Sequence, residues 1–309
     1  MTASLEKSAV QVIEVVKRYA GLTVLNGVSL DIPKGAFLVV LGPVGSGKSS
    51  LLRIVSGVVQ PDSGDVLRFG RRAPRNWSSR PNVGVAAPDI ILPQWMTPRR
   101  LLAFWSDIYP SWDRVACASL MKEIDLPWDR PIRNFSRGMY CSIGLVSLIC
   151  SRAPLLLADE PFASLDRSIS NIFFAALRRL RADRETTFVV VQHAPLLVEN
   201  EVTHICILRG GRVDAFGTRE EILNRYRIVD ATAIEDRGAL ASVLARRMPS
   251  FVGGLPLLLP TPDAEAFLRR LKDLGLTGLG SSTAVTIAEL GQGFGRGVLL
   301  SELNKPNAD

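Results

Sequence analysis

The sequence predicts an α/β fold organised around a glycine-rich loop. Residues 42–50 read Gly-Pro-Val-Gly-Ser-Gly-Lys-Ser-Ser and match the pattern G-x-x-x-x-G-K-[ST]. The apolar run 36–41 before the loop is typical of a buried strand, and residues 50–56 after it have helical spacing that ends at Gly57. A second short apolar run, residues 155–158, ends in two carboxylates. Acids at the end of a strand lie where open α/β sheets bind their ligands, so both patterns favour this fold class.

The glycine-rich loop has the residue types that hold the phosphates of a nucleotide. Its backbone N–H groups can wrap phosphates, because its glycines allow an approach that side chains would block. Lys48 would reach the β- and γ-phosphates, and the Ser49 hydroxyl would bind Mg²⁺. The strand-loop-helix setting disfavours the alternative, a glycine-rich turn with a surface lysine. The candidate nucleotide-binding residues are Gly42, Pro43, Val44, Gly45, Ser46, Gly47, Lys48, Ser49 and Ser50.

The composition is typical of a folded protein of the cytoplasm. The 309 residues, 47% hydrophobic and 22% charged, suffice for one large domain and a small one. The apolar runs are shorter than the roughly 18–20 residues of a membrane helix, and residues 1–10 lack the apolar core of a secretory signal. The four cysteines show no C-x-x-C spacing, so we expect reduced thiols and not a zinc site or disulfides.

The positive charge of the chain is unevenly distributed. The formal net charge is +7, and residues 226–309 contribute nothing to it, with nine Lys/Arg against nine Asp/Glu. Arginines cluster between residues 71 and 80 and at Arg99 and Arg100. A basic face can meet nucleic acid, an anionic membrane surface or an acidic partner, although a solvated arginine-rich surface is the simplest explanation of each cluster.

Residues 10–33 alternate as paired strands do, and about residue 89 the pattern becomes helical. Tyr19 lies between the two predicted strands, where a tyrosine can stack on adenine, although a surface anchor is the commoner role. Helices are predicted from Pro98 and near residues 112–124. Tryptophans are dense in this insertion, which predicts either a core or a docking surface, with equal weight on each. They are Trp95, Trp105, Trp112 and Trp128.

Three further positions carry candidate chemistry. Asp159 can hold the water shell of Mg²⁺, and Glu160 can polarise an attacking water. A second strand, residues 187–192, ends in the same way at His193, which becomes a candidate γ-phosphate contact, although a lone histidine is usually structural. Ser136 is a natural N-cap for a long helix that has Gly138 in its first turn.

With these elements placed, residues 10–223 resemble the ATP-binding subunit of an ABC transporter. Residues 42–50 match the Walker A motif and residues 155–159 the Walker B motif, with Glu160 as the catalytic glutamate. Phe-Ser-Arg-Gly-Met at residues 135–139 stands where this family has its LSGGQ signature. The resemblance also assigns adenine stacking to Tyr19, the D-loop to residues 164–166 with Asp166, and the switch histidine to His193.

The resemblance implies a P-loop NTPase fold of ABC type, with a mixed sheet core, an antiparallel β subdomain and a helical subdomain. The ATPase domain would cover residues 1–225, with the helical insertion at about residues 89–150. Residues 226–309 would form a small accessory α/β domain for dimerisation or regulation. The pattern of apolar residues itself predicts a basic helix at residues 218–227, followed by helices at residues 237–247 and 263–274 and a strand at residues 255–259. Two such subunits, most simply a homodimer, would bind two ATP molecules head to tail. In each site Ser49 and Asp159 would hold Mg²⁺, and the other subunit would supply Ser136, Gly138 and Asp166.

The family also implies a partner, an integral membrane permease that this chain would serve from the inner face of the plasma membrane. The helical insertion would dock it. Export is the favoured direction, because a basic residue followed by Gly-Met is similar to the signature of some bacterial exporter ATPases. One alternative is a soluble ABC-type ATPase acting on nucleic acid or ribosomes, which the absence of a long coiled coil or a second ATPase unit disfavours. The other is a degenerate regulatory subunit that binds ATP and turns it over slowly.

One departure from the family concerns the metal. The glutamine that binds Mg²⁺ and the attacking water in this family falls on Pro88, and the nearest glutamine, Gln94, lies six residues on. Either this register is shifted or the metal ligand is absent, and absence is the favoured interpretation. Proline has no side-chain oxygen, so Ser49 and the water shell of Asp159 would hold the ion. We therefore expect Mg²⁺-dependent hydrolysis that is slower or differently coupled.

Overall fold

The computed structural model describes residues 8–72, 82–87, 90–183, 185–192, 201–229, 257–260, 282–284 and 286–287. The strands are, in chain order, β1 (Ser8–Tyr19), β2 (Leu22–Pro33), β3 (Phe37–Leu41), β4 (Ser63–Arg68), β5 (Arg71–Arg72), β6 (Val83–Ala86), β7 (Leu155–Asp159), β8 (Thr187–Val191), β9 (His204–Arg209), β10 (Arg212–Thr218), β11 (Tyr226–Val229), β12 (Leu257–Pro260) and β13 (Ser282–Ala284). The helices are α1 (Lys48–Ser56), α2 (Pro98–Ile108), α3 (Arg114–Glu123), α4 (Arg137–Cys150), α5 (Arg167–Asp183) and α6 (Arg219–Asn224), with a 3₁₀ helix at Ile132–Asn134.

A six-stranded mixed sheet forms the centre of the fold. Its strand order is β10-β9-β3-β8-β7-β6, and all neighbours are parallel except β10, which runs antiparallel to β9. Every residue of β3, β7 and β8 is buried. These strands are apolar without alternation because both faces of the sheet are covered, as is usual for parallel strands.

The two faces of the central sheet belong to two separate cores. Along β8, Phe188 and Val190 pack into the core that contains the helices α2 to α5, whereas Val189 and Val191 pack into the core that contains α1. The second core also receives the antiparallel sheet, whose order is β2-β1-β4-β5. The helical layer and the antiparallel layer therefore lie on opposite faces of the strands that carry the candidate site.

The tryptophan-rich insertion is both a core and a surface. Trp105, Trp112 and Trp128 are half-buried and pack against the helical core. Trp95 is 64% exposed and lies in the segment before α2. Three of the four tryptophans of the insertion therefore contribute to the helical core, and the fourth, Trp95, is accessible to solvent.

The region after residue 218 differs from the predicted pattern. The helix predicted at residues 218–227 ends at Asn224, because Tyr226 already begins strand β11. β11 pairs antiparallel with both β12 and β13, so the strand predicted at residues 255–259 is present with slightly shifted bounds. Tyr226 and Ile287 are buried in the helical core. The helices predicted at residues 237–247 and 263–274 lie outside the described residues, and the accessory domain stays a prediction.

None of the helices in the described ranges is long and apolar enough to span a bilayer. The four cysteines are free thiols, as predicted, and three of them are buried.

Candidate nucleotide-binding site

The glycine-rich loop connects β3 to α1, as the sequence predicts, and two of its glycines have no room for a side chain. A Cβ on Gly42 would overlap the carbonyl oxygen of Leu208 on the neighbouring strand β9. A Cβ on Gly47 would lie 2.6 Å from Leu25 Cδ2, and Gly47 also has a φ of 100°. The backbone of the loop is therefore held against its neighbours, and it leads into the N-terminus of α1, a favourable position for an anion.

Lys48 is held inside the loop. Its side chain is 4% exposed, and its ammonium donates hydrogen bonds to the carbonyl oxygens of Gly42 at 2.8 Å and Pro43 at 2.7 Å. Burial lowers the pKa of Lys48 to about 8, while the nearby carboxylates of Glu160 and Asp159 act in the opposite direction. The structure thus brings the lysine of the loop close to both predicted acids.

The two acids reach the loop through the order of the strands. Strand β8 lies between β3 and β7, and all three are parallel, so their carboxyl ends share one edge. Asp159, the last residue of β7, is 7% exposed. Glu160 leaves the strand with a positive φ of 46° and donates its N–H to the Val191 carbonyl at 2.8 Å. That hydrogen bond holds the turn which presents the half-buried Glu160 side chain.

The residues around the loop fit a nucleotide with its metal. Ser49 is half-buried in the first turn of α1, and Asp159 is buried at the adjoining strand end. In the described part of the chain, no group of three or more His, Cys, Asp or Glu side chains could hold a metal by itself. A hydroxyl and one carboxylate suit Mg²⁺, which keeps several waters and shares its coordination with phosphate oxygens.

Tyr19 lies at the end of β1 and is 39% exposed. The Lys17 ammonium stands 5.4 Å from the centroid of its ring. An exposed aromatic face can receive a flat base, so the structure is compatible with adenine stacking, which stays a prediction.

The signature residues stand apart from the loop. Ser136 caps α4 as predicted, its hydroxyl accepting the Met139 N–H at 3.2 Å, and its side chain is exposed. A Cβ on Gly138 would lie 3.1 Å from the Ser164 carbonyl oxygen, so α4 begins against the segment that follows the acids. The described contacts of Ser136 therefore lie within α4 and those of Gly138 reach that segment, and none of them involves residues 42–50.

Asp166 ends the same segment and begins α5. Its carboxylate accepts hydrogen bonds from the Ser168 hydroxyl at 2.7 Å and the Ile169 N–H at 2.8 Å, which lower its pKa. The residue is exposed, as are Ser136 and Arg137. These three exposed residues could meet a second molecule without any change in the fold.

Two predicted positions cannot be located. His193 and Pro88 lie outside the described residues. The γ-phosphate role of His193 and the missing metal ligand at Pro88 stay predictions.

Two residues near the site were missed by the sequence reasoning. Gln192, at the end of β8 before His193, is 6% exposed, and its Oε1 has no hydrogen-bond partner among the described residues. The sequence signal that could have identified Gln192 is a polar residue at the end of an apolar strand.

Tyr140, in the first turn of α4, contacts the segment after β6 through its hydroxyl. The local sequence does not predict that contact, because the residues that Tyr140 contacts lie about 50 positions away in the chain.

With this geometry established, the chain can be compared with known proteins. A family model described as ABC transporter matches residues 25–163. The sulfate/thiosulfate import ATP-binding protein CysA of Thermosynechococcus vestitus is 31% identical over 211 residues, which cover 67% of this chain and 63% of that protein. CysA of Synechocystis sp. is 29% identical over 211 residues, covering 67% of this chain and 59% of that protein. The chain thus spans less than two thirds of either relative.

Solved structures agree on the fold. A structure described as the ATP-binding subunit of an ABC transporter has a TM-score of 0.61 at 22% identity and covers 70% of this chain and 92% of its own. The dimeric cassette MJ0796 has a TM-score of 0.60 at 21% identity, covering 68% and 98%. A bacterial Atm1-family ABC exporter has a TM-score of 0.62 at 20% identity, covering 72% and 41%.

Residues 25–163 therefore match the model of the ABC transporter family, and the chain has the fold of the ATP-binding cassettes of such transporters. The predicted family and fold class are confirmed. The prediction of export gains no support from the two curated relatives named above, because both are import proteins.

Proposed function

We propose that this chain is the ATP-binding and ATP-hydrolysing subunit of a membrane transporter, and that two copies share each catalytic site. The observation that carries the proposal is the split arrangement of the site. Lys48 is buried in its loop beside Asp159 and Glu160, whereas Ser136 is exposed and Gly138 contacts other residues. One subunit therefore offers a phosphate-binding half and a separate signature half, and a head-to-tail pair joins them twice.

Each residue of the phosphate-binding half has a chemical task. Lys48 and the backbone N–H groups of the loop bind the β- and γ-phosphates and stabilise charge that develops during transfer. Ser49 and Asp159 hold Mg²⁺, which supplies charge neutralisation when bound. Glu160 accepts a proton from the attacking water, and His193 contacts the γ-phosphate. Tyr19 stacks on the adenine.

The partner subunit would supply Ser136, Gly138 and Asp166 to the same nucleotide. Ser136 and Asp166 use their oxygens for helix caps, and each remains exposed. A hydroxyl has two lone pairs and a rotatable O–H, so Ser136 can cap α4 and still donate to a phosphate oxygen.

A permease would dock on the exposed apolar side chains of the helical insertion. Ile91 is 85% exposed and Trp95 64%, and both precede α2. Phe104 and Ile108 continue the apolar surface on α2 itself. Exposed aromatic and aliphatic side chains of this kind mark protein interfaces. Such a partner would hold the chain at the inner face of the plasma membrane.

The direction of transport has two opposing indications. The names of the curated relatives favour import of sulfate or thiosulfate, and the Ser-Arg-Gly-Met signature favours export by resemblance. Vesicles that contain the chain with its co-purified permease decide between them. Sulfate uptake toward the ATPase side supports import, and ATP-driven movement of a compound away from that side supports export.

Complementation between two inactive variants tests the shared site. A Lys48→Ala subunit lacks a working phosphate half, and a Ser136→Ala subunit lacks a working signature half. Each homodimer should hydrolyse ATP poorly, yet their mixture should recover up to about a quarter of the wild-type sites by random pairing. Recovery no greater than the average of the two separate variants would refute the shared site.

The Glu160→Gln variant tests the chemistry in the same assay. It should bind ATP and accumulate as an ATP-dependent dimer, with hydrolysis at least about 100-fold slower than the wild type. An active Glu160→Gln protein would show that Glu160 is not the general base.

A different experiment distinguishes the transporter hypothesis from the alternative of a soluble ATPase acting on nucleic acid. Capture of a multi-spanning membrane protein with the wild-type chain would support the transporter.

A further inference from the structure

The Tyr140 hydroxyl joins two parts of the chain that are distant in sequence. It accepts a hydrogen bond from the Leu92 N–H at 2.6 Å and donates one to the Ile90 carbonyl at 2.7 Å. Tyr140 lies in α4, two residues after Gly138, and the segment it holds follows strand β6. A single side chain thus satisfies one donor and one acceptor of an irregular segment that has no helix or strand to satisfy them.

Backbone hydrogen bonds tie the same segment to the residues before α4. The Ile132 N–H donates to the Met96 carbonyl at 2.9 Å, and the Arg133 N–H donates to the Gln94 carbonyl at 2.9 Å. Residues 90–96 are therefore attached on one side to the 3₁₀ helix at Ile132–Asn134 and on the other to α4. Ser136 lies between these two attachment points.

The held segment also faces outward and borders the catalytic acids. Ile91 and Trp95 are among the most exposed large side chains of the described residues, at 85% and 64%. Tyr140 itself lines a cleft whose other walls include Trp105, Asp159 and Glu160. The tyrosine consequently lies between an accessible surface, the start of the signature helix and the acids.

We propose that Tyr140 is a positioning residue that fixes the signature, through its hydroxyl, to the segment 90–96. The inference rests on the proposed function, since the signature acts only on the nucleotide of a second subunit. Loss of the hydroxyl frees the start of α4 from the segment and allows Ser136 and Gly138 to vary in position. Misplacement of groups by about an ångström is enough to lower phosphoryl-transfer rates without altering the phosphate half.

Tyr140→Phe is the direct test, and Tyr109→Phe is its matched control. Both tyrosines are half-buried, and Tyr109 donates its hydroxyl to the Val83 carbonyl at 3.2 Å, away from α4. In the full chain with Mg²⁺ and ATP, Tyr140→Phe should lower kcat about tenfold, while a single subunit binds a fluorescent ATP analogue as the wild type does. Tyr109→Phe should change kcat less than about twofold.

Hydrogen exchange provides a second measurement that does not need hydrolysis. In the isolated subunit, Tyr140→Phe should speed exchange of the amides at residues 137–140 and of Leu92, and Tyr109→Phe should not. Equal kcat and equal exchange in the two variants would overturn the positioning role, as would a parallel loss of analogue binding. A wild-type chain that neither hydrolyses ATP nor dimerises would refute the proposed function, and the exchange data would still decide whether Tyr140 holds the signature.

Discussion

The phosphate half and the signature half of the site differ in how the fold presents them. Ser46 in the loop, Lys48 at the start of α1 and Asp159 at the end of β7 are all more than 90% buried. Ser136, Arg137 and Asp166 are exposed at helix starts. The phosphate half is thus built into the interior of the chain, whereas the signature half lies on its surface. The difference teaches why we propose that each subunit offers two half-sites: the structure buries one set of residues and exposes the other.

The same difference sets what a mutation does. In the buried half, the loop backbone is fixed by contacts such as that between Gly47 and Leu25, so binding and catalysis depend on the same atoms. In the exposed half, removal of a side chain leaves the fold and the phosphate contacts in place. Mutations in the phosphate half should therefore weaken ATP binding and hydrolysis together, whereas mutations in the signature half should slow hydrolysis and leave ATP binding intact.

Lys48→Ala should have the largest effect. It removes the buried ammonium that hydrogen-bonds within the loop, and we expect ATP binding and hydrolysis to fall together, hydrolysis by roughly 1,000-fold or more. Phosphate release and nucleotide affinity measure the two losses. Lys122→Ala, an exposed lysine on α3, is the control and should retain wild-type rates. A Lys48→Ala chain with appreciable turnover would contradict the role of the loop.

Ser136→Ala should separate the two halves. Hydrolysis should fall about 10- to 100-fold, while one subunit binds ATP normally, because in the proposed dimer Ser136 acts on the partner's nucleotide. Loss of the cap also costs about 1 kcal/mol of helix stability.

Thr218→Ala provides the comparison for that cap. Thr218 is an exposed N-cap of α6 that accepts the Glu221 N–H at 3.3 Å, so its loss tests capping without the signature. It should lower the melting temperature comparably and leave kcat unchanged. If both variants slowed hydrolysis equally, Ser136 would be structural only.

The pH dependence of ATP affinity should report the buried ammonium. Lys48 has a pKa of about 8 in the folded chain against 10.5 ordinarily, so its charge is lost as the pH rises through about 8. ATP affinity should fall roughly tenfold between about pH 7 and pH 9. A Lys48→Arg chain keeps its charge over that range, and any affinity it retains should be flat with pH.

The stability contribution of Lys48 should change in the opposite direction. Because its folded pKa is below its unfolded value, the folded chain releases the proton first, and the contribution to the free energy of unfolding rises between about pH 8 and pH 10.5. Chemical denaturation of the wild type and Lys48→Ala at several pH values measures this contribution. If ATP affinity and the stability contribution of Lys48 both fell as the pH rose, a group other than Lys48 would be responsible.

Pro88→Gln should have the smallest effect, and it places a glutamine where the resemblance predicts the family's metal ligand. We expect ATP turnover and Mg²⁺ affinity to rise a few-fold, because an amide oxygen can join the ion's coordination. Titration of turnover against Mg²⁺ at saturating ATP measures both quantities. Unchanged turnover and Mg²⁺ affinity would show that the register which places the glutamine at Pro88 is wrong.

Prediction from the sequence succeeded where the signal was local. The loop, the helix start at Ser136 and the acids at the end of β7 are each encoded within about ten residues, by spacing and capping chemistry. Prediction was less successful at the α6 boundary, because pairing between β11 and β12 ends the helix and involves residues about 30 positions apart. The tryptophans could not be divided between core and surface, since their neighbours come from other elements.

The sequence by itself determined which chemistry is present: a phosphate-binding loop, two acids and a signature-like helix start, each a short pattern with a direct physical meaning. Only the tertiary structure decided how they are grouped. Parallel pairing of β3, β8 and β7 brings Asp159 and Glu160 to Lys48 across more than 100 residues, and the packing of α4 leaves Ser136 outside that group. Such long-range grouping depends on strand order and helix packing, which no local pattern encodes.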